Sequence, residues 1–332
     1  MRWTAPLWLG IGAALLVAAC REDIPWTAPP EAPINAGGAG GAGAGGGPPG
    51  TGGEAGGGGG AGGGGAGGGG APVAGVSVMS WNLETFPLVP DTASRVAEIL
   101  TDIRPDVVSV QEIEDPAAFL ALPDVLPGYA AVLNDDPGGF LRVGILYNTS
   151  RVALSEVETL FYGDFYAFPR PPLKAHVTVI GAEPPGIDFT LLVLHLKAQL
   201  DAASQARRRA ACEALDTWIR GQLAAGPELD FVLAGDWNDE LGDPPQYNVF
   251  QGFLDDPATY AFLTEPAAEA GEFSYLPFES MIDHVLITTD ALGEYGDGTT
   301  EVLHLEASYP EYEAGVSDHR PVLVRFAGRE GI

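Results

Sequence analysis

Positive charge is scarce in this chain. Sixteen Lys and Arg stand against 45 Asp and Glu, giving a formal net charge of −29 over 332 residues. Such a surface repels polyanions at long range, so tight, salt-driven binding of duplex DNA is not expected and slow scanning along it is argued against, while cutting of nucleic acid is not excluded. Cysteine is nearly absent, with two residues, Cys20 and Cys212. A disulfide-stapled fold is therefore excluded. Long apolar runs are missing too. The longest, Trp8–Ala19, is short for a comfortable membrane span.

What that run does fit is an export signal. Arg2 supplies a positive start, and Val17-Ala18-Ala19-Cys20 resembles a bacterial lipobox, cleaved before a cysteine that is then acylated. Residues 1–19 are expected to be a lipoprotein signal peptide and Cys20 the lipidation site. Membrane contact is expected through that lipid alone, since each buried methylene adds about 0.8 kcal/mol. Arg21 rather than Asp follows the cysteine, which favours the outer membrane in sorting of the enteric type. The expected location is the cell envelope, exported and lipid-anchored.

Residues 20–75 read as the lipidated cysteine and a flexible tether. Pro-rich sequence from about Trp26 passes into a Gly/Ala tract whose only charge is Glu54. Ordering so much glycine would cost more backbone entropy than it could recover by burial. About 50 such residues have a root-mean-square reach on the order of 40 Å.

Residues 76–332 hold the globular part, long enough for one large core. Asp91 is a plausible cap for a helix carrying Val96, Ile99, Leu100 and Ile103. Strands are expected at Val107–Val110, Ala130–Leu133, Val143–Tyr147, Leu154–Leu160 and Ala175–Ile180. Ser204–Leu223 is the clearest helix, with Cys212 a buried structural thiol on it. Further strands are expected at Phe231–Ala234, Val285–Thr288, Val302–Leu305 and Val322–Phe326. Strands with interspersed helices fit an α+β layered fold. For Arg207-Arg208-Arg209 a solvated face or pairing with nearby carboxylates is favoured over a phosphate patch.

The polar ends of the apolar runs carry the chemistry. Val76–Trp81 ends in Asn82, and Asp106–Val110 in Gln111 and Glu112. Phe189–Leu194 ends in His195, and Phe231–Gly235 in Asp236, Trp237 and Asn238. Met281 and Ile282 lead into Asp283 and His284, and Ser317, Asp318 and His319 precede the last run. Acids, amides and imidazoles that converge from strand ends can hold a metal and cut a phosphate ester. Singly, each has a bland role as turn former or core group; six in order do not.

This order of Trp-Asn, Gln-Glu, His-Leu-Lys, Gly-Asp-Trp-Asn, Ile-Asp-His and Ser-Asp-His resembles the endonuclease/exonuclease/phosphatase family, of deoxyribonuclease I-like fold. The resemblance runs from about Val76 to Phe326. It implies a four-layer α/β/β/α sandwich and a metal-assisted hydrolysis of phosphate esters. It implies Mg2+, with Mn2+ or Ca2+ as alternatives, held mainly by Glu112, with Asn82 and Asp318 near the ion or its waters. Asp236 would orient or deprotonate the attacking water, with Asn238 beside it. Asp283 and His319 would pair, and His319 would meet the scissile phosphate. His195 looks like the histidine that aids the leaving oxygen in the nuclease and sphingomyelinase branches. Arg170, in Phe-Pro-Arg-Pro-Pro-Leu, looks like the phosphate-contacting arginine. One departure stands out. Deoxyribonuclease-like enzymes pair that histidine with a glutamate in an earlier strand, and Phe140–Tyr147 offers Arg142 and no carboxylate.

The leading expectation is a metal-dependent endonuclease acting on nucleic acid outside the cytoplasm, with no obligate protein partner evident. Met281-Ile282-Asp283-His284 looks more like secreted bacterial nucleases than inositol-phosphate phosphatases. A sphingomyelinase-like phospholipid phosphodiesterase is second, with Phe161–Phe168 the only aromatic candidate for lipid docking. An inert binding module that kept the fold is third, because every expected ligand position is filled.

Overall fold

A computed structural model describes residues 75–181, 187–226, 228–296 and 298–328, all within the compact unit Gly69–Ile332. The expected signal peptide, Cys20 and the tether up to residue 74 lie outside the described residues. No helix of the described residues is long and apolar enough to cross a membrane.

Among the described residues, twelve strands form two six-stranded sheets. The first holds β1 (Val76–Phe86), β2 (Val107–Ile113), β3 (Tyr129–Leu133), β4 (Arg142–Asn148), β11 (Thr299–Val302) and β12 (Val322–Phe326), in the order β11-β12-β1-β2-β4-β3. The second holds β5 (Val152–Thr159), β6 (Leu173–Val179), β7 (Asp188–His195), β8 (Phe231–Asp236), β9 (Tyr260–Phe262) and β10 (Asp283–Thr288), in the order β5-β6-β7-β8-β10-β9. Each sheet has one parallel pair at its centre, β1 with β2 and β7 with β8; the other pairings are antiparallel.

Strand alternation explains the layers. Val78, Val107, Ile145, Leu191, Val193, Val232 and Val285 point inward and build the core between the sheets. The residues of opposite parity point outward. Met79, Trp81, Val108 and Val110 meet Val96, Ile99 and Leu100 of helix α1 (Thr92–Ile103). Short α2 (Pro116–Ala121) adds Phe119 to that layer. Leu192, Leu194, Phe231 and Leu233 meet Ala211, Cys212, Leu215 and Ile219 of α3 (Ala202–Ala225). The result is the expected α+β sandwich in four layers.

Several local expectations need correction. Asp91 makes no capping bond to α1; its carboxylate pairs with Arg95 at 2.9 Å, and the Thr92 hydroxyl instead accepts from Val89 N. The cap of α3 is Asp201, which accepts from Ala203 N and Ser204 N. The strand expected at Val302–Leu305 ends at Val302, and a 3-10 turn occupies Leu305–Ala307. β11 pairs with β12 from Thr299↔Arg325 to Val302↔Val322, where the ladder ends. Arg208 is buried against Asp239, as carboxylate pairing predicts, but Arg207 and Arg209 bind backbone carbonyls of residues 165–166 and 247–248.

Candidate active site

The two parallel pairs deliver their polar ends to one edge. The regular pairing of β1 with β2 breaks with Asn82 opposite Gln111, and β7 and β8 stop with His195 opposite Asp236. β10 starts at that edge, with Asp283 opposite Asp236. Parity puts Asn82, Gln111, His195, Asp236 and Asp283 on the inner face, in line with Val78, Val107, Val193, Val232 and Val285. The site is thus where the seam between the sheets turns polar. His284 and Trp237 have the opposite parity and serve the outer layer; Trp237 Nε1 donates to His284 O at 3.0 Å.

Bulges re-aim two further groups. Glu112 should point outward by alternation, but its φ of 60° breaks the strand, and Ile113 joins the outer core in its place. Glu84 and Thr85 also have positive φ, 41° and 53°, and Phe86 then faces outward. Asn238, just past β8, has a φ of 55°. Left-handed backbone at four non-glycine residues in one place is a strained arrangement characteristic of functional sites.

Asn82 is the hub. Its Nδ2 donates to Asp236 Oδ2 at 3.0 Å and to Glu112 Oε1 at 3.3 Å, while its Oδ1 accepts from Glu84 N. Thr85 N donates to Glu112 Oε2 at 3.2 Å. Asn238 N donates to Asp236 Oδ1, and Asn238 Nδ2 to Leu196 O. His195 Nε2 stands 3.6 Å from Asp236 Oδ2 and 3.7 Å from Glu112 Oε1. Across the cleft His319 Nδ1 meets Asp283 Oδ2 at 2.7 Å, and His319 Nε2 lies 3.8 Å from Asp318 Oδ1. The Ser317 hydroxyl fixes this loop to β1, donating to Asn82 O at 2.6 Å and accepting from His319 N. Arg170 is buried, with Nη1 3.4 Å from Leu196 O.

Electrostatics follow from crowding acids in a buried cleft. Burial, and then the Asp283 charge, push the Asp236 carboxyl up to about 7. Burial, and then Asp318, push Glu84 up to about 8, and burial raises Asp318 as well. Burial and the nearby Arg170 charge hold His195 well below its ordinary value, so its ring is neutral. For His319 burial opposes charge, but the carboxylates of Asp283, Asp236 and Asp318 together outweigh it and hold the ring protonated. Acids forced toward neutrality by each other mark a place that would welcome a cation.

Three sets offer cation-ligand geometry among the described residues, and two of them lie here: Glu112, His195 and Asp236, and Asp236, Asp283 and His319, with ligand atoms within 4.8 Å of one another. The second contains a protonated imidazole, which cannot ligate, so the donor chemistry favours the first. Hard carboxylate oxygens there fit a divalent cation such as Mg2+.

The structure gathers Asn82, Glu112, His195, Asp236, Asn238, Asp283, Asp318 and His319 at this edge, with Arg170 beside His195. The missing partner of His195 stays missing: its Nδ1 is buried and makes no hydrogen bond. Arg142, where the glutamate would stand, bonds Asn134 Oδ1 instead. Glu84 and Tyr275 escaped the sequence reading. Glu84 shares the parity of Asn82, a legible signal. The Tyr275 ring lies tilted against His319 with centroids 4.8 Å apart, from a loop without periodicity.

Comparison with known proteins agrees with this geometry. The model of the Endonuclease/Exonuclease/phosphatase family matches residues 79–319, and the chain belongs to that family. It therefore carries a fold used by phosphodiesterases and phosphatases. No curated protein matches the sequence. Among solved structures, D. rerio TDP2 complexed with single strand DNA product is 21% identical, with a TM-score of 0.57, covering 76% of this chain and 98% of that one. An endonuclease/exonuclease/phosphatase from Bacteroides vulgatus is 16% identical, with a TM-score of 0.56 and coverage of 76% and 98%. The Bacteroides thetaiotaomicron mannosyl-6-phosphatase Bt3783 is 19% identical, with a TM-score of 0.51 and coverage of 75% and 98%. At these identities the likeness concerns the fold.

Proposed function

We propose that this protein is a divalent-metal-dependent phosphodiesterase that hydrolyses nucleic acid outside the cytoplasm, held at the cell envelope by lipid on Cys20. The observation that carries the reaction class is Asp236. It lies between the cation-binding carboxylate Glu112 on one side and the Asp283–His319 pair on the other. Bound Mg2+ would supply positive charge for the phosphate and ease deprotonation of a water.

The chain's own residues do the rest. Glu112 would be the principal ligand, with Asn82 and Asp318 near the ion or its waters. Asp236 accepts a proton from the attacking water, and a carboxyl titrating near 7 suits a base at neutral pH. Asn238 N fixes the other Asp236 oxygen. Asp283 keeps His319 charged at Nδ1, leaving Nε2–H to donate to a phosphate oxygen as negative charge develops. Arg170 adds a second positive charge beside His195. The neutral His195 ring faces Glu112 and Asp236, where it can join the ion's ligands or pass a proton toward the leaving oxygen.

Nucleic acid is favoured by the Met281-Ile282-Asp283-His284 segment and by a fold neighbour bound to a DNA product. A phosphatase on the same fold makes small phosphate esters the second reading. Supercoiled plasmid incubated with the protein and Mg2+ or Mn2+ should be nicked, and chelator should stop it. Intact plasmid alongside chelator-sensitive cleavage of small esters would move the substrate to the second reading. Cys20→Ser should shift the protein from the membrane to the soluble fraction; unchanged fractionation would remove the lipid anchor.

A further inference from the structure

A series of three rings leads from the imidazole that would meet the phosphate to the surface. Tyr275 lies against His319 with centroids 4.8 Å apart, and Phe278 stacks on Tyr275 with centroids 5.8 Å apart. Tyr275 is half-buried, and the charges of Asp318, Asp236, Glu112 and Glu84 all reach it. Phe278 is 63% exposed, so one face rests toward Tyr275 and the other is open to solvent.

The series is fixed in place. Residues 274–280 fold back on themselves: Ser274 N and Tyr275 N donate to Ser280 O, and Ser280 N donates to Tyr275 O. Glu279 makes the turn with a φ of 51°. Both flanks are fastened to the loop of Asp318 and His319. Leu276 N donates to Asp318 O at 3.0 Å, and Arg320 N to Ser274 O at 2.7 Å. The buried Ser274 hydroxyl accepts from Ile282 N and Asp283 N at 3.2 and 3.0 Å. The bonds that place Phe278 are therefore tied to those that place Asp283, Asp318 and His319.

Charge says what the open face can take. From Phe273 to His284 there is no Lys or Arg, and the exposed carboxylate of Glu279 stands next to Phe278 in the chain. A phosphate would be repelled there, whereas a flat uncharged ring stacks without any counter-charge. With a net charge of −29 the protein gains little from a phosphate backbone, so its hold on a polyanion has to come from contacts of this uncharged kind. The spacing has the right order too. A nucleotide puts one sugar between its phosphate and its base, and here one ring, Tyr275, stands between the imidazole and the open face.

We propose that Phe278 is the platform for an unpaired nucleobase next to the scissile phosphate. The inference rests on the reading of the cleft as a nucleic-acid phosphodiesterase and names the residue that selects its substrate. A base in a duplex is already paired and stacked and must leave the helix to reach the ring, so a single strand is preferred. Supercoiled plasmid remains a substrate, because its unwinding stress favours opened pairs.

The full chain with Mg2+ would be assayed on three labelled DNAs of equal length: a thymidine strand, a strand of abasic nucleotides with the same phosphates, and the thymidine strand paired with its complement. The expected kcat/KM for the thymidine strand is about tenfold or more above that for each of the other two. Phe278→Ser, at an exposed position, should cut both ratios by about fivefold or more, mainly through KM for the thymidine strand. Phe278→Trp keeps an aromatic face and should retain them. Equal wild-type rates on the thymidine and abasic strands, or a Phe278→Ser variant that slows all three DNAs alike, would overturn the platform while the nuclease stands. Ratios left intact by Phe278→Ser would overturn it as well, and weaker sedimentation of that variant with sphingomyelin vesicles would then give the ring to a lipid surface. A wild-type protein that cuts none of the three but cleaves small phosphate esters would remove the nucleic-acid reading and the platform with it.

Discussion

Asp283 shows how one carboxylate sets the state of its neighbour. It lies at the buried start of β10, and its Oδ2 holds His319 Nδ1 at 2.7 Å. Asp283→Asn preserves the shape and removes the charge. We expect kcat to fall by the equivalent of about 2.7–4 kcal/mol of barrier, the usual range for one preorganised group. The rate needs protonated His319, so it is lost as pH rises through the folded pKa of that ring. In the variant that alkaline limb should move to lower pH; an unmoved limb at saturating Mg2+ would assign it to another group. His284 provides the contrasting case. Burial lowers it to about 4, while its Nε2 faces Asp239 O and its Nδ1 faces the Thr264 hydroxyl, each at 3.0 Å. Nε2 must then carry the proton, and the neutral ring is the folded form. The unfolded chain takes up a proton below about 6.5, so this contribution is present above that pH and is lost as pH falls toward 4. The loss amounts to roughly 3 kcal/mol by linkage. His284→Gln should remove this sensitivity, read as a wild-type minus variant difference in urea midpoint at pH 7 and pH 4.5.

Helix α3 is the element that ties the rim of the cleft together. Arg207 holds the carbonyls of Phe165 and Tyr166, and Arg209 those of Tyr247 and Asn248. Arg208 holds those of Lys197 and Gln199 while its Nε meets Asp239 at 2.9 Å. Arg208→Met would leave Asp239 buried without its partner and should cost about 3–5 kcal/mol. Adding Asp239→Asn should recover part of that loss in chemical denaturation; additive losses would separate the two residues. Periodicity announced α3 itself to within two residues at each end, but the carbonyls its arginines reach lie about 10 to 40 positions away and leave no local trace. The same limit applied elsewhere. Strand ends were legible because apolar runs stop at polar residues, and alternation told which of these share a face. Glu112 reached the cleft through a bulge that alternation does not encode, so its place came from family likeness. Tyr275 sits in an irregular loop and was invisible. β9, three residues long, was too short to register.

At the scale of the whole molecule, charge governs encounter. The formal net charge of −29 slows the approach of any polyanion, and added salt screens that repulsion. Raising NaCl from about 50 to 200 mM at fixed Mg2+ should therefore leave kcat/KM on DNA level or higher. A steep fall would reveal a set of phosphate contacts that this surface does not suggest. Topology governs orientation. Val76 pairs with Phe326 where β1 begins and β12 ends, and a Cβ on Gly75 would lie 2.4 Å from Phe326 O. The chain thus enters and leaves the sandwich at one place, while Asn82, six residues further along β1, opens at the opposite end. A fusion partner or an immobilising tag joined directly before Gly75 or just after Phe326 would start from the end of the domain away from Asn82. Both ends of the described domain are therefore available as handles, away from the polar edge that opens at Asn82.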